Sequence, residues 1–247
     1  MISSFIPTVN PFIQDNIDKL DWKNLSTNYG AIPILEAYPD RIDWINLSQN
    51  ENAIHLLENN PEKICWSNLS CNKNAIHLLE ANPDKIDWRW LSYNSGDIHL
   101  LKSEVKANND KIDWLNLSRN KNPAVIPLLE ANPDRVDWKR LSYNISAISL
   151  LEANPDKINW DMLSCNKNAI HLLEANPDKI NWIKLSLNIN AIHLLETNPD
   201  KIDWDMLSYN KNAIHLLETN PDKINWIWLS YNTNIMDLFN YRPPVMK

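Results

Sequence analysis

The chain has 247 residues, with 24 basic and 31 acidic side chains for a formal charge of −7, and 44% of its residues are hydrophobic. That is enough apolar material for a core and excludes wholesale disorder, while the acidic balance argues against a general nucleic-acid binder. Two glycines exclude glycine-rich phosphate loops, a dinucleotide fingerprint and most hairpin-rich β folds, and three cysteines (Cys65, Cys71 and Cys165) make neither a disulfide framework nor a four-ligand zinc site.

Met1 to Gln14 is mildly apolar, lacks a basic stretch and is broken by Pro7 and Pro11, so it does not read as a signal peptide. No apolar run approaches the roughly 20 residues of a membrane helix. From Trp22 a repeat takes over. Trp recurs at 22, 44, 66, 88, 114, 138, 160, 182, 204 and 226, with steps of 22 except for 26 before Trp114 and 24 before Trp138. The unit reads N-x-N-A-I-H-L-L-E-A-N-P-D-K-I-D-W-x-x-L-S-x, and a fixed period in the twenties means stacked repeats. The expected fold is all-α: a solenoid of about ten 22-residue repeats in one domain. The divisions are an N-terminal cap over 1–20, a first block over 21–108, a second over 109–232 and a C-terminal cap over 233–247.

Each repeat divides into two short helices. In the copy starting at Asn72, Asn74 is a suitable N-cap, and Ala75, Ile76, Leu78 and Leu79 share one face of a helix A, with His77 and Glu80 opposite. Pro33 and Pro127 replace His77 in two copies, which places this position in the first helical turn. Asn82-Pro83 ends helix A. Asp87 then caps a helix B over Trp88 to Ser92, α or partly 3₁₀. This cap is Asp or Asn in nine of ten copies and Cys65 in the other. Next stands an Asn present in all ten copies: Asn28, Asn50, Asn72, Asn94, Asn120, Asn144, Asn166, Asn188, Asn210 and Asn232. A left-handed turn that would otherwise need Gly explains it; an internal hydrogen-bonded ladder of Asn side chains is the alternative. Isolated helices this short are marginal, so the units must stack, with the Trp rings as interior filling between them.

Asn10 to Leu20 resembles a degraded helix A and turn, and Asn234 to Phe239 a last helix A stopped by Pro243-Pro244. Four extra residues near Lys102-Ser103-Glu104-Val105 lengthen one helix A by about a turn, and two more fall near Pro123-Ala124-Val125. Asn24, Asn46, Asn68 and Asn116 each begin Asn-Leu-Ser, formally a glycosylation acceptor. Because those Ser residues are expected inside the stack, a reducing, cytoplasmic setting is the expectation.

Chemistry is hard to find in so regular a pattern. The six His (His55, His77, His99, His171, His193 and His215) share one position. Helices pack about 8–10 Å apart, too far for neighbouring imidazoles to share a metal whose bonds are near 2 Å. The Glu and Lys/Arg columns read as a solvated face, and a uniform column supplies no unlike pair of carboxylates for acid–base work. No catalytic residue, cofactor or metal is expected. The informative positions vary while the frame stays fixed: the two residues after each Trp and the one after each Ser. All three are expected to project away from the Trp/Leu face. Trp90, Tyr93, Arg140, Tyr143, Met162, Lys184, Met206, Tyr209, Trp228 and Tyr231 fall there, and aromatics, Arg and Met are the composition of a protein-binding surface; neutral drift, or packing between adjacent B helices, is the alternative.

The alternation of one α-helix with one very short helix through an L-S-x-N turn resembles the leucine-rich-repeat-variant solenoids. More closely, the unit A-I-H-L-L-E-x-N-P-D-K-I-x-W-x-x-L-S-x-N, over about residues 20–235, resembles uncharacterised repeat proteins of large amoeba-infecting DNA viruses. That resemblance implies a viral source and an α-solenoid and transfers no functional residues. The expected function is a non-enzymatic scaffold binding a host or viral protein in the host cytoplasm. A virion component, a self-associating spacer and a nucleic-acid-binding solenoid are the alternatives; no membrane association is expected.

Overall fold

A computed structural model describes residues 10–96, 98–107 and 110–235, and every regular element among them is an α- or 3₁₀-helix. The chain divides into two compact units, 1–131 and 132–247, each a solenoid-like stack of the same repeat. Within unit 1 the stack continues through the irregular stretch, since Asn120 and Asn122 donate back to the carbonyls of Ser92, Asn94, Ser95 and Gly96.

In unit 1 a repeat runs from helix A at Ile76–Ala81 through a 3₁₀ turn at Pro83–Lys85 to helix B at Trp88–Tyr93; in unit 2 the corresponding elements are Ile170–Glu174, Pro177–Lys179 and Trp182–Ser186. Pro stands at the second residue of Ile32–Ala37 and of Ile126–Glu130, as its missing N–H requires. The Asn before each Pro-Asp-Lys link sits near φ −136°, ψ 60°, outside the α region. Its carboxamide donates 2.9 Å back to the helix A carbonyl four residues earlier at Asn60, Asn82, Asn154, Asn176, Asn198 and Asn220. The B helices are capped as expected. Asp21, Asp43, Asp113, Asn159 and Asp203 each accept from the N–H three residues on, whereas Cys65 holds the same backbone, φ −85°, ψ 97°, with no side-chain cap.

Three expectations need correction. Asn74 is not an N-cap: Ala75 is, without a side-chain bond, and the Asn74 carboxamide instead reaches the Glu51 carbonyl of the preceding repeat. The Trp rings are not the interior filling either. The core is Leu and Ala with a column of Ile or Val: Leu57, Leu69, Leu79, Leu173, Leu185, Leu195, Ala75 and Ala191 are fully buried and Ile64, Ile86, Ile158 and Ile180 are buried, while the indoles from Trp22 to Trp204 are half-buried and Trp226 is exposed. An indole is too large for layers this thin, so it lies at their edge.

The third correction concerns the Asn after each Ser. It is extended, not left-handed: Asn94 has φ −64°, ψ 123° and Asn210 φ −75°, ψ 111°. The ladder is what the structure contains. In unit 1, Asn72 Nδ2 donates to the carbonyls of Ser48 and Asn50, both at 3.1 Å; in unit 2, Asn210 Nδ2 donates to Ser186 at 3.0 Å and Asn188 at 3.2 Å. Each Oδ1 accepts from the N–H two residues on, so one buried carboxamide closes its own turn and fastens it to the repeat before. The Ser beside it is equally occupied. Ser186 Oγ donates to the Trp182 carbonyl and accepts from the N–H of Asp203, the next repeat's cap.

The irregular copy follows the expected length change: helix A becomes His99–Lys106. The two later residues form a 3₁₀ turn, Pro123–Val125, capped by Asn122. Gly96 is required by close approach, since a Cβ there would stand 2.7 Å from the Lys73 carbonyl. Of the proposed caps, Pro11–Gln14 and Ile17–Lys19 form the degraded first copy; the last helix A lies, from residue 236 on, outside the described residues.

Two predictions follow from this packing. A buried polar group left without a partner costs about 1–3 kcal/mol, and Asn210 serves two carbonyls and one N–H. Asn210→Gly and Asn210→Ala should therefore both destabilise by more than about 2 kcal/mol in urea unfolding; a neutral Gly variant would mean that the position is a turn requirement alone. Cys65→Asp supplies the missing cap and should stabilise by about 0.5–2 kcal/mol in the same assay.

Candidate interaction surface

The structure separates the variable positions of helix B into open and covered ones. The residue after Ser is open where it is Tyr: Tyr93, Tyr143, Tyr209 and Tyr231 are all exposed, while Cys71, Cys165 and Leu187 at the same position are half-buried. The second residue after Trp is mostly covered, as the packing alternative has it, because it lies between successive B helices. Asn68 Nδ2 donates to the Ile45 carbonyl at 2.8 Å and Asn116 Nδ2 to the Arg89 carbonyl at 3.1 Å, each in the preceding repeat. Arg140, Met162, Lys184 and Met206 are accordingly half-buried, and only the large Trp90 and Trp228 stay exposed in this row of aromatic and long side chains.

The two charged members of that row are already engaged. Arg140 Nη1 lies 2.9 Å from Asp137 Oδ2, and Lys184 Nζ 3.6 Å from Asp161. The Asn181 carboxamide, and then the Lys184 charge, hold the Asp161 carboxyl below the usual carboxylate range.

In unit 1, Trp90 and Tyr93 each carry an Arg, with the Arg89 guanidinium 5.8 Å and the Arg119 guanidinium 5.5 Å from the ring centres. In unit 2 three aromatics cluster. Trp228 meets Tyr209 edge to face and Tyr231 at a tilt, both with ring centres 6.3 Å apart. Tyr209 is 48% exposed, Trp228 41% and Tyr231 66%. Beside them Leu187, Ile189, Tyr209, Asn210, Lys211, Tyr231 and Thr233 line a pocket of about 250 Å³. Sequence reading missed Ile189, Lys211 and Thr233, which follow the Asn column; the signal was there, since that position also varies from copy to copy.

The columns read as a solvated face make contacts between repeats. Nε2 of His55, His77, His171, His193 and His215 lies 2.7–2.8 Å from Oε1 of Glu36, Glu58, Glu152, Glu174 and Glu196 of the preceding copy, and His99 pairs with Glu80 in the same way. Lys lies over the indole of the copy before: Lys63, Lys85, Lys179 and Lys223 stand 4.6 Å above the rings of Trp44, Trp66, Trp160 and Trp204, each such contact contributing about 0.5–1 kcal/mol where exposed. Among the described residues no three His, Cys, Asp or Glu side chains gather into a metal-binding group, and no helix is long and apolar enough to cross a membrane. Burial pushes the thiols of Cys71 and Cys165 above the usual range, which makes them poor nucleophiles at neutral pH. The Ser residues of the four Asn-Leu-Ser sites (Ser26, Ser48, Ser70 and Ser118) are fully buried.

Fold and surface together define a class, the helical repeat stack with an aromatic face. The chain matches no protein-family model, no curated protein and no solved structure.

Proposed function

We propose that this protein is a non-enzymatic scaffold that binds another protein through the exposed aromatics of its B helices. The observation that carries the reading is the group Tyr209, Trp228 and Tyr231, open to solvent beside an apolar pocket. Large rings held in place by packing lose little conformational entropy on binding and dominate interface energetics. The frame of Leu, Ser and Asn is used up inside the stack, whereas the large aromatics among the residues that differ between copies lie on the outside, where recognition needs them. The Lys column is occupied by indole rings, which favours a protein partner over nucleic acid. On the resemblance to repeat proteins of amoeba-infecting viruses, the partner we propose is a host or viral protein met in the host cytoplasm.

Capture from amoebal lysate on the immobilised full-length chain tests this. A retained protein should fall at least tenfold on the double variant Trp90→Ala/Trp228→Ala and be unchanged on Lys139→Ala, an exposed control. Retention that ignores the aromatic pair would contradict the reading.

A further inference from the structure

The pocket in unit 2 has chemistry that narrows its ligand. Its walls come from three consecutive repeats: Leu187 and Ile189, Tyr209 and Lys211, Tyr231 and Thr233. At about 250 Å³ it is smaller than the roughly 300–1,000 Å³ of small-molecule sites, and it suits one or two apolar side chains of a peptide. Lys211 is the charged residue in its wall.

The row after the Asn column extends that charge. Through unit 2 it reads Ile145, Lys167, Ile189, Lys211 and Thr233, alternating apolar and basic with no acid. Lys167 and Lys211 are exposed, and among the described residues neither forms a salt bridge. The exposed carboxylates on the B helices of unit 2 have partners of their own: Asp205, one turn before Tyr209, accepts from the Asn225 carboxamide at 2.8 Å, and Asp161 accepts from Asn181 at 2.8 Å and faces Lys184. A chain of net charge −7 thus keeps a local basic edge beside an apolar hole.

We infer that this edge binds an extended acidic peptide segment, which places an apolar side chain in the Tyr209/Tyr231 pocket and carboxylates on Lys211 and Lys167. The two lysines are two repeats apart, about 16–20 Å at the usual spacing of packed helices. An extended peptide advances about 3.3 Å per residue, so the two carboxylates stand about five or six residues apart. The apolar anchor supplies affinity and the lysines fix direction and register. This inference rests on the reading of the protein as a binding scaffold and specifies one of its ligands.

The test is fluorescence anisotropy of the full-length chain with an array of labelled nine-residue peptides. Each carries Leu, Phe or Met at its second residue or, in the reversed order, its eighth; one set has Asp next to that residue and again five or six residues further along the peptide, one has Lys at those two positions, and one keeps the Asp pair but has Ser in place of the apolar residue. The acidic, apolar-anchored set should bind, and the Lys-substituted and Ser-substituted sets at least tenfold more weakly. Lys211→Glu and Tyr231→Ala should each weaken binding at least tenfold with unchanged far-ultraviolet circular dichroism and melting, and Lys167→Glu less than Lys211→Glu. Salt should weaken the acidic set, because exposed charges are screened. Equal binding by all sets, or binding untouched by Lys211→Glu, would overturn the inference. So would a concentration-dependent rise in mass abolished by Tyr231→Ala, which would make a second copy the occupant. A lysate partner lost on Trp90→Ala/Trp228→Ala but kept on Lys211→Glu/Tyr231→Ala would preserve the scaffold reading while refuting this pocket.

Discussion

A helix of five or six residues leaves most of its carbonyls without an intrahelical partner, and a repeat built from two such helices multiplies the problem. The carboxamide that follows Ser, buried from Asn50 onward, answers it. Its Nδ2 takes two carbonyls of the preceding repeat, and its Oδ1 takes an N–H of its own turn. The neighbouring Ser hydroxyl joins the same two layers by donating to one and accepting from the next. Asn and Ser are fully buried here, where an unmatched polar group is costly and a matched one specifies geometry. Burial of Leu, Ile and Ala supplies the driving force; the polar column sets the register in which it is collected.

That division of labour governs the surface. Because Leu, Ala, Ser and Asn do the stacking, Trp is left at the edge of each layer, half-covered by a Lys of the next copy. The His–Glu pairs join copies on helix A in a parallel way. Side chains that vary are then confined to the B helices and the turn after them. Where they are large and aromatic they cannot all be covered, and Tyr209, Trp228 and Tyr231 form an open cluster. Where they are smaller or flexible, as at Met162 and Met206, they sink between neighbouring helices.

Much of the fold was legible in the residues. The 22-residue period, the proline at the second residue of helix A, the Asp/Asn caps of helix B and the lengthened helix at 99–106 all follow from local rules that act within a few residues. What was not legible depends on contacts across the period. An Asn in an invariant turn has the same local signature whether it adopts a left-handed backbone or reaches the preceding repeat, and only a partner 22 or 24 residues away distinguishes them. The same holds for Trp, whose hydrophobicity suggested a core role while its size put it at the rim. Of the candidate surface residues, the Tyr row was legible because it follows a buried Ser on a short helix. The row that holds Arg140, Met162, Lys184 and Met206 could not be decided between an open surface and packing, because spacing along one helix says nothing about the helix beside it.

The side-chain amide protons of the Asn column carry the central claim, and their exchange with solvent tests it most directly. In a hydrogen-exchange measurement by nuclear magnetic resonance on the folded chain, the Nδ2 protons of Asn72, Asn188 and Asn210 should be protected far beyond those of the exposed Asn59, and should become labile together as the stack is loosened by denaturant. Column amides that exchange as fast as Asn59 under native conditions would contradict the account.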